Sequence, residues 1–540
     1  MKNIKISITT IVMIISMVSC HQDFLEERPY DIITESNFFK TANDAITVTN
    51  SIYQSLYGNY ATNLMHLNEF TTEAVTTRLE INSAYGRWDT WQFQVGDFSG
   101  IYGASYVTIN RANILLDNVD RIQMADALKT RLKGEALFLR ALSYLNLVRV
   151  FGGVPIRETS TRGVENLELP RSPAADVYAL VISDLTQAAE WLTPKAALTG
   201  NNRGRANKTA AYTLLGKVFL TRATDPSSAQ SGDYQKAIDA LNAAIAVGDS
   251  QLLTNYARIF EIGNENNAEI IFDIQRMDAP DLGGNLTPLL ATAVTNELYQ
   301  IPWHDYLANV DFYRTFSEDD TRRAATFYDR MSVPASSGGG IVYFDPYLEP
   351  VDGVWRRADT GEQVPASLVD VHVPGFRKFV DMGAIQGGRD RNNYVILRFS
   401  DVYLMLAEAI SGQNNGPTAQ AYEYINKVRR RAFNVNIDTP NATVDLAGLS
   451  AGAFTEALYR ERRKEFVIEG HGWFDGKRMF ETFKRVVVES AASGGSLGFN
   501  NRPKAVIDPG RIADPRYFLM PLGLNLFERN SLLTQNPGWE

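Results

Sequence analysis

The chain has 540 residues, 45% hydrophobic, 21% charged and 11% aromatic, with a formal net charge of −9. That acidic balance, with no basic run longer than Arg429-Arg430-Arg431, argues against a nucleic-acid partner, because phosphate binding needs a positive footprint. A single cysteine rules out an intrachain disulfide or a CxxC site, and five His without an HExxH spacing, with no GxxxxGK(S/T), leave the common metal and nucleotide signatures unfilled.

The N-terminus reads as a targeting segment over residues 1–19. Lys2 and Lys5 form a basic start, and the thirteen residues Ile6 to Val18 carry no charge. That run is shorter than the roughly 20 apolar residues a membrane span needs, and suits a secretory signal. Ser19 precedes Cys20, the order a lipoprotein signal peptidase requires, although Met17 stands where such signals usually carry Leu. The expectation is a mature chain that begins at a lipidated Cys20. Several acyl chains hold a protein at a membrane where one would be marginal. An ordinary signal peptide with an incidental cysteine is the alternative.

Helical patterns follow. In "RLKGEALFLRALSYLNLVRVFGGVP", Leu137, Ala141, Tyr144, Leu145 and Val148 fall on one face, and Gly152, Gly153 and Pro155 end the run. "SPAADVYALVISDLTQAAEWL" predicts a helix capped by Ser172 with Pro173 in its first turn. "ANKTAAYTLLGKVFLTRA" and "DYQKAIDALNAAIAVG" form a pair closed by Gly248, and "DVYLMLAEAI" with "AQAYEYINKVRRRA" form another. Leu215-Gly216-Lys217-Val218-Phe219, then Tyr234 and Ala237, match the tetratricopeptide spacing loosely, with an insertion over 223–232. Small residues there let paired helices approach, and stacked pairs make a scaffold. Residues 61–103 are polar and aromatic without clear periodicity. Residues 280–395 are rich in turns such as "SSGGG" and in short strand-like pieces such as "GIVYF".

Seven segments together point to a family. They are "CHQDFLEERPYDIITESNFF", "INRANILLDNV", "GEALFLRALSYLNLVRVFGGVP", "RANKTAAYTLLGKVFLTRA", "VILRFSDVYLMLAEA", "RERRKEFVIEGHGWFDGKRM" and "RYFLMPLGLNLFERNSLLTQNPGW". In that order, from Cys20 to Trp539, they resemble the SusD/RagB family of surface glycan-binding lipoproteins of Bacteroidetes. Ile101 departs from the pattern, since relatives often carry Trp there. The resemblance implies a mainly α-helical single lobe (20–540) of tetratricopeptide-like pairs with a loop-rich ligand face. Its parts would be an N-terminal helical part (20–280), an irregular insert (281–395) and a C-terminal helical part (396–540). It also implies a non-catalytic outer-membrane lipoprotein facing the cell exterior. Such a protein binds a glycan and closes over a SusC-like TonB-dependent barrel, its helical side toward that barrel.

Candidate ligand residues are aromatic. Tyr85, Trp88 and Trp91 fall within seven residues outside any amphipathic helix. An aromatic face stacks on the C–H face of a pyranose, and burying about 100 Å² this way contributes about 2.5 kcal/mol. Arg78 offers hydrogen bonds to sugar hydroxyls. Trp303, His304 and Tyr306 form a second cluster, and Trp355 a third. For each, the competing reading is packing under a loop or a solvated surface position.

Glu461, Glu465, Glu469, His471 and Asp475 look like hydrolase carboxylates, which work in pairs. Their i, i+4, i+8 spacing among Arg460, Arg462, Arg463 and Lys464 instead predicts an ion-pair ladder along a helix. Arg398 and Asp401 read as hydrogen bonding at a helix start, and "SEDDTRR" (317–323) as a solvated turn rather than a metal loop. No metal or cofactor is expected; a structural Ca²⁺ in the loops stays open as an alternative that no donor set in the sequence supports. A surface glycoside hydrolase and a peptide-binding lipoprotein are the competing functional readings.

Overall fold

The computed structural model describes residues 38–540, apart from 61, 78–82, 163–166, 280–281, 291–304, 329, 333–340, 344–347, 353, 358–360, 365–373, 382, 384–388, 493–496, 499–501 and 504–507. Cys20 and the targeting segment lie outside these residues.

Helices dominate, and most of them pack in pairs. α1 (Ala42–Ser55) opens with a capping box, Thr41 accepting from the Asp44 backbone N while Asp44 reaches back to Thr41. Residues 61–103 are more regular than their sequence suggests. They hold α2 (Asn63–Phe70), the two-residue strand β1 (Val75–Thr76), α3 (Ala84–Asp89) and the start of α4 (Ser99–Asn118). Two short helices and the first turn of a longer one give too few turns for a readable period.

α5 (Asp126–Phe151) is the central helix. Every residue from Gly134 to Val148 is buried, so the single face legible in the sequence is one of several that pack. Gly152, at φ +73°, ends it in a conformation that other residues resist. α6 (Ala174–Trp191) lies against it. Pro173 occupies the N-cap, and the expected Ser172 side-chain cap is absent, since proline's fixed φ already sets the turn. Asp184 on the inner face of α6 is tolerated there because Arg140 of α5 pairs with it at 2.7 Å.

α7 (Lys208–Ala223) and α8 (Asp233–Val247) form the tetratricopeptide-like pair. A Cβ on Gly216 would fall 2.5 Å from Leu241 Cγ, which is the physical reason for glycine at that position. Beyond β2 (Ile270–Ile274), the strands β3 (Leu307–Ala308), β4 (Phe327–Tyr328) and β5 (Gly375–Phe376) join β1 in one antiparallel sheet, in the order β1-β3-β5-β4. Smaller hairpins, including Ile341–Tyr343 within the expected "GIVYF" strand, fill the rest of this stretch.

β6 (Tyr394–Arg398) pairs with β2 and runs directly into α9 (Phe399–Gln413), which packs on α10 (Ala419–Ala432). Tyr234 of α8 fills the space above Gly412 of α9, so successive pairs stack through an aromatic on a glycine. α11 (Ala451–Phe466), α12 (Gly472–Arg478) and α13 (Phe480–Ala492) close the body. Among the described residues no helix is long and apolar enough to cross a membrane.

Candidate ligand site

The β1–β3 pairing, Val75 opposite Ala308 and Thr76 opposite Leu307, joins two stretches more than 200 residues apart in sequence. It sets Tyr306 of the second stretch beside α2 and α3 of the first. Helix α3 starts because Ser83 accepts from the Gly86 backbone N, and Arg87 fixes its far end through Asp97 at 2.9 Å.

These elements converge on one aromatic cluster. Phe70 and His66 of α2, Tyr85 and Trp88 of α3, and Tyr306 lie with ring centroids 4.4 to 6.5 Å apart. His66 links the two tyrosines: its Nδ1 meets the Tyr306 hydroxyl and its Nε2 lies 3.2 Å from the Tyr85 hydroxyl. Burial pushes the His66 pKa down to about 3, so the imidazole stays neutral at ordinary pH. Tyr85 is the half-buried member, packed against His66, Phe70 and Trp88 and still partly exposed. Burial, and then the charge of Asp305, push its hydroxyl up to about 12. The site therefore presents a neutral phenol ring beside a carboxylate.

The proposed ligand residues fare unequally. Tyr85 is at the rim. Trp88 is 7% exposed, stacked on Phe98 at 5.3 Å, with its indole Nε1 buried and without a partner among the described residues. Trp91 is turned away altogether: it is 1% exposed, donates to Thr71 O at 3.1 Å, and packs on Phe483 and Tyr517. Its φ of +57° makes that turn. Trp91 is thus a packing anchor with no face open to a sugar, and Tyr306, at 0% exposure, supports the cluster from beneath. Arg78, Trp303 and His304 lie outside the described residues, as does the side chain of Trp355, whose backbone sits in the strand Val354–Arg357. Ile101 is fully buried in the first turn of α4.

Two contributors were not singled out from the sequence, His66 and Asp305. A lone histidine in "NLMHLNEF" carries no signal of its own. Asp305 lay between two named residues, where a carboxylate beside an aromatic cluster was a readable cue.

The acidic signature near the C-terminus is neither a ladder along a helix nor an open carboxylate pair. Helix α11 stops at Phe466, because Ile468 adopts φ +66°, and so Glu469 belongs to a loop. Glu461, Glu465 and Glu469 pair across elements instead. Arg322 reaches Glu461 at 2.7 Å and Glu465 at 3.0 Å; Arg398 binds Glu469 at 2.8 Å, Glu269 at 2.9 Å and Glu465; Arg431 also meets Glu465, and Lys378 meets Glu469. Three arginines hold the Glu465 carboxyl far below the usual carboxylate range despite its burial. Arg398 is the N-cap residue of α9, but its side chain makes no capping bond and goes to the glutamates instead. Asp401 is bound by Lys217 at 2.7 Å and by Arg462 at 2.9 Å, and Arg462 also holds Asp475. In the 317–323 turn Ser317, Glu318, Asp319 and Thr321 are exposed, while Asp320 and Arg322 are buried partners. His471 stacks on Phe466 at 4.6 Å and burial keeps it neutral. Among the described residues no group of three His, Cys, Asp or Glu side chains is arranged to hold a metal ion.

This buried network also supports the aromatic site. Arg463 of α11 binds Glu69 and Glu73, each at 3.3 Å, and so fixes the helix that carries His66 and Phe70.

Comparison with known proteins gives consistent matches. A family model described as the SusD family matches residues 289–539, and one described as starch-binding associating with outer membrane matches residues 23–220. The SusD-like protein P2 of Formosa agariphila is 25% identical over 566 residues, covering 99% of this chain and all of that protein. Among solved structures, a SusD homolog from Bacteroides thetaiotaomicron superposes with a TM-score of 0.77 at 21% identity, covering 94% of this chain and 99% of its own. A laminarin-binding SusD-like protein gives a TM-score of 0.67 at 21% identity, covering 92% of this chain and 100% of its own.

Proposed function

The chain belongs to the SusD/RagB family, and we propose that it captures a glycan at the cell surface and delivers it to a TonB-dependent outer-membrane barrel. The observation that carries this reading is Tyr85. Its ring is steadied by His66 and Phe70 and stays partly exposed, with Asp305 alongside. A flat ring takes the apolar face of a sugar, and a neighbouring carboxylate accepts hydrogen bonds from its hydroxyls. The family model's description, starch-binding and outer-membrane-associated, and the laminarin-binding neighbour support a glycan as the ligand class. Arg78, Trp303 and His304, next in sequence to these elements, complete the proposed contact set.

The protein acts without catalysis in this reading. Glu461, Glu465 and Glu469 are 0 to 3% exposed and engaged by cations, so none is placed to reach a glycosidic bond. Lipidation at Cys20 would tether the chain beside the barrel. Tethering raises the effective concentration of ligand at the transporter, so weak capture suffices.

Affinity electrophoresis of the purified protein through gels holding individual polysaccharides tests the reading. At least one polysaccharide should retard the wild type, and Tyr85→Ala should weaken that binding by about tenfold or more. Migration of the wild type unchanged in every gel overturns the function. Retardation equal in both proteins overturns the site.

A further inference from the structure

Away from the aromatic cluster, the loop between α6 and α7 and the segment 249–271 enclose a polar cavity of about 270 Å³. Lys195, Arg203 and Arg205 line it, with Asn207, Asp249 and Asn266. Of the three cations only Arg205 has an ion-pair partner among the described residues, Glu135 at 2.9 Å, and its own Nε is buried with nothing to bind. Lys195 donates to the carbonyls of Asn267, at 2.6 Å, and Ile270. Arg203 makes one long contact to the Glu265 carbonyl at 3.4 Å.

The nearby carboxylates are occupied elsewhere. Asp249 accepts from the Lys195 backbone N, from Thr209 Oγ1 at 2.6 Å and from Ser250 Oγ. Asp273 is bound by Asn393 at 2.9 Å and by Gln275, and the Glu265 carboxylate accepts from Gly263 N at 2.8 Å. Arg205 is thus met by Glu135, while Lys195 and Arg203 have no ion-pair partner among the described residues, and three of the four charged side chains lining the cavity are cationic. Burial, with Arg203 adding to it, pushes the Lys195 ammonium down to about 8 although Asp273 and Asp249 favour it. A bound anion would supply the ion-pair partner that Lys195 and Arg203 lack, and guanidinium donors suit a planar or tetrahedral oxyanion.

We propose that this cavity is a second binding site, specific for a sugar unit that carries one anionic group, a carboxylate or a sulfate ester. The anionic part rests on the cavity itself. The sugar part rests on reading the protein as a glycan binder, and on a volume that exceeds what a bare oxyanion fills. Occupation here alongside the aromatic site would give a charged polysaccharide two points of attachment on one chain.

Isothermal titration of the full-length protein with glucuronate, glucose 6-sulfate, glucose and inorganic sulfate tests this, with Arg203→Glu, Arg203→Lys and Tyr85→Ala alongside. The expected result is saturable binding of glucuronate or glucose 6-sulfate, at least about tenfold tighter than glucose or inorganic sulfate. Which of the two binds names the anion. Arg203→Glu, a surface change, should abolish it at unchanged melting temperature; Arg203→Lys should retain part of it, and Tyr85→Ala all of it. Absence of binding, equal binding in Arg203→Glu, or loss in Tyr85→Ala overturns the second site. Inorganic sulfate binding as well as the sugars overturns sugar recognition and leaves an adventitious ion only. A protein that binds these small ligands but no neutral polysaccharide keeps this site while losing the aromatic one.

Discussion

The stretches 460–478 and 85–91 are each dense in residue types that do chemistry, charged in the first and aromatic in the second, and the fold uses them differently. In the first, every buried carboxylate is met by a cation: Glu465 by three arginines, Asp475 by Arg462 and Arg478. In the second, Trp88 and Trp91 are sunk into the core, while Tyr85 stays partly exposed. The difference lies in the contact capacity left over after folding. A group whose partners are all supplied by its own chain is structure, and one with a face or a donor to spare is available to a ligand.

The largest expected effect breaks the charged region. Arg398→Met removes the cation shared by Glu269, Glu465 and Glu469 and leaves three buried carboxylates short of a partner. Breaking a buried ion pair from one side costs about 3–5 kcal/mol, and the upper end is expected here. Urea denaturation measures it. A variant as stable as the wild type would mean that the network is not closed.

Trp91→Ala separates the two regions next. Its indole hydrogen bond and its packing on Phe483 and Tyr517 predict a loss of about 3–4 kcal/mol in the same assay. The fraction that folds should still be retarded by whichever polysaccharide retards the wild type. Tyr85→Ala should do the reverse, losing retardation and little stability. Loss of binding by folded Trp91→Ala would return Trp91 to the ligand site.

How far these roles were legible depends on the range of the contact that defines them. The α7–α8 pair was readable because Gly216 and Ala237 mark a close approach between neighbours in sequence, and Gly216 does lie under Leu241. The structural character of 460–478 was readable from its mix of charges, but its pairing was not. Arg322 and Glu461, 139 positions apart, meet only after the chain has folded, and the positive φ at Ile468 that removes Glu469 from the helix has no local signal. The same limit hid the site. Tyr85, Trp88 and Trp91 are indistinguishable as letters, and only the β1–β3 pairing and the turn at Trp91 decide which ring remains partly exposed.

The smallest effect concerns pH and sharpens the contrast. His66, with a pKa of about 3, and Tyr85, at about 12, both keep one protonation state between pH 5.5 and 8. Neither titration can then alter the Tyr85 face, and retardation by a neutral polysaccharide should be flat across that window. Stability behaves otherwise. The unfolded His66 takes up a proton below its ordinary value of 6.5, whereas the folded one resists until about 3. Its contribution is therefore complete above 6.5 and drains away as pH falls toward 3. Glu465 acts in the same sense from its ordinary value of 4.5 downward, since its folded carboxyl is held far lower. The melting temperature should fall from pH 7 to pH 5.5 while affinity holds, and His66→Gln should flatten that limb of the melting curve. A wild-type affinity that instead followed a group titrating near 6.5 would place a charged imidazole at the ligand, and the neutral relay between Tyr306 and Tyr85 would have to be abandoned.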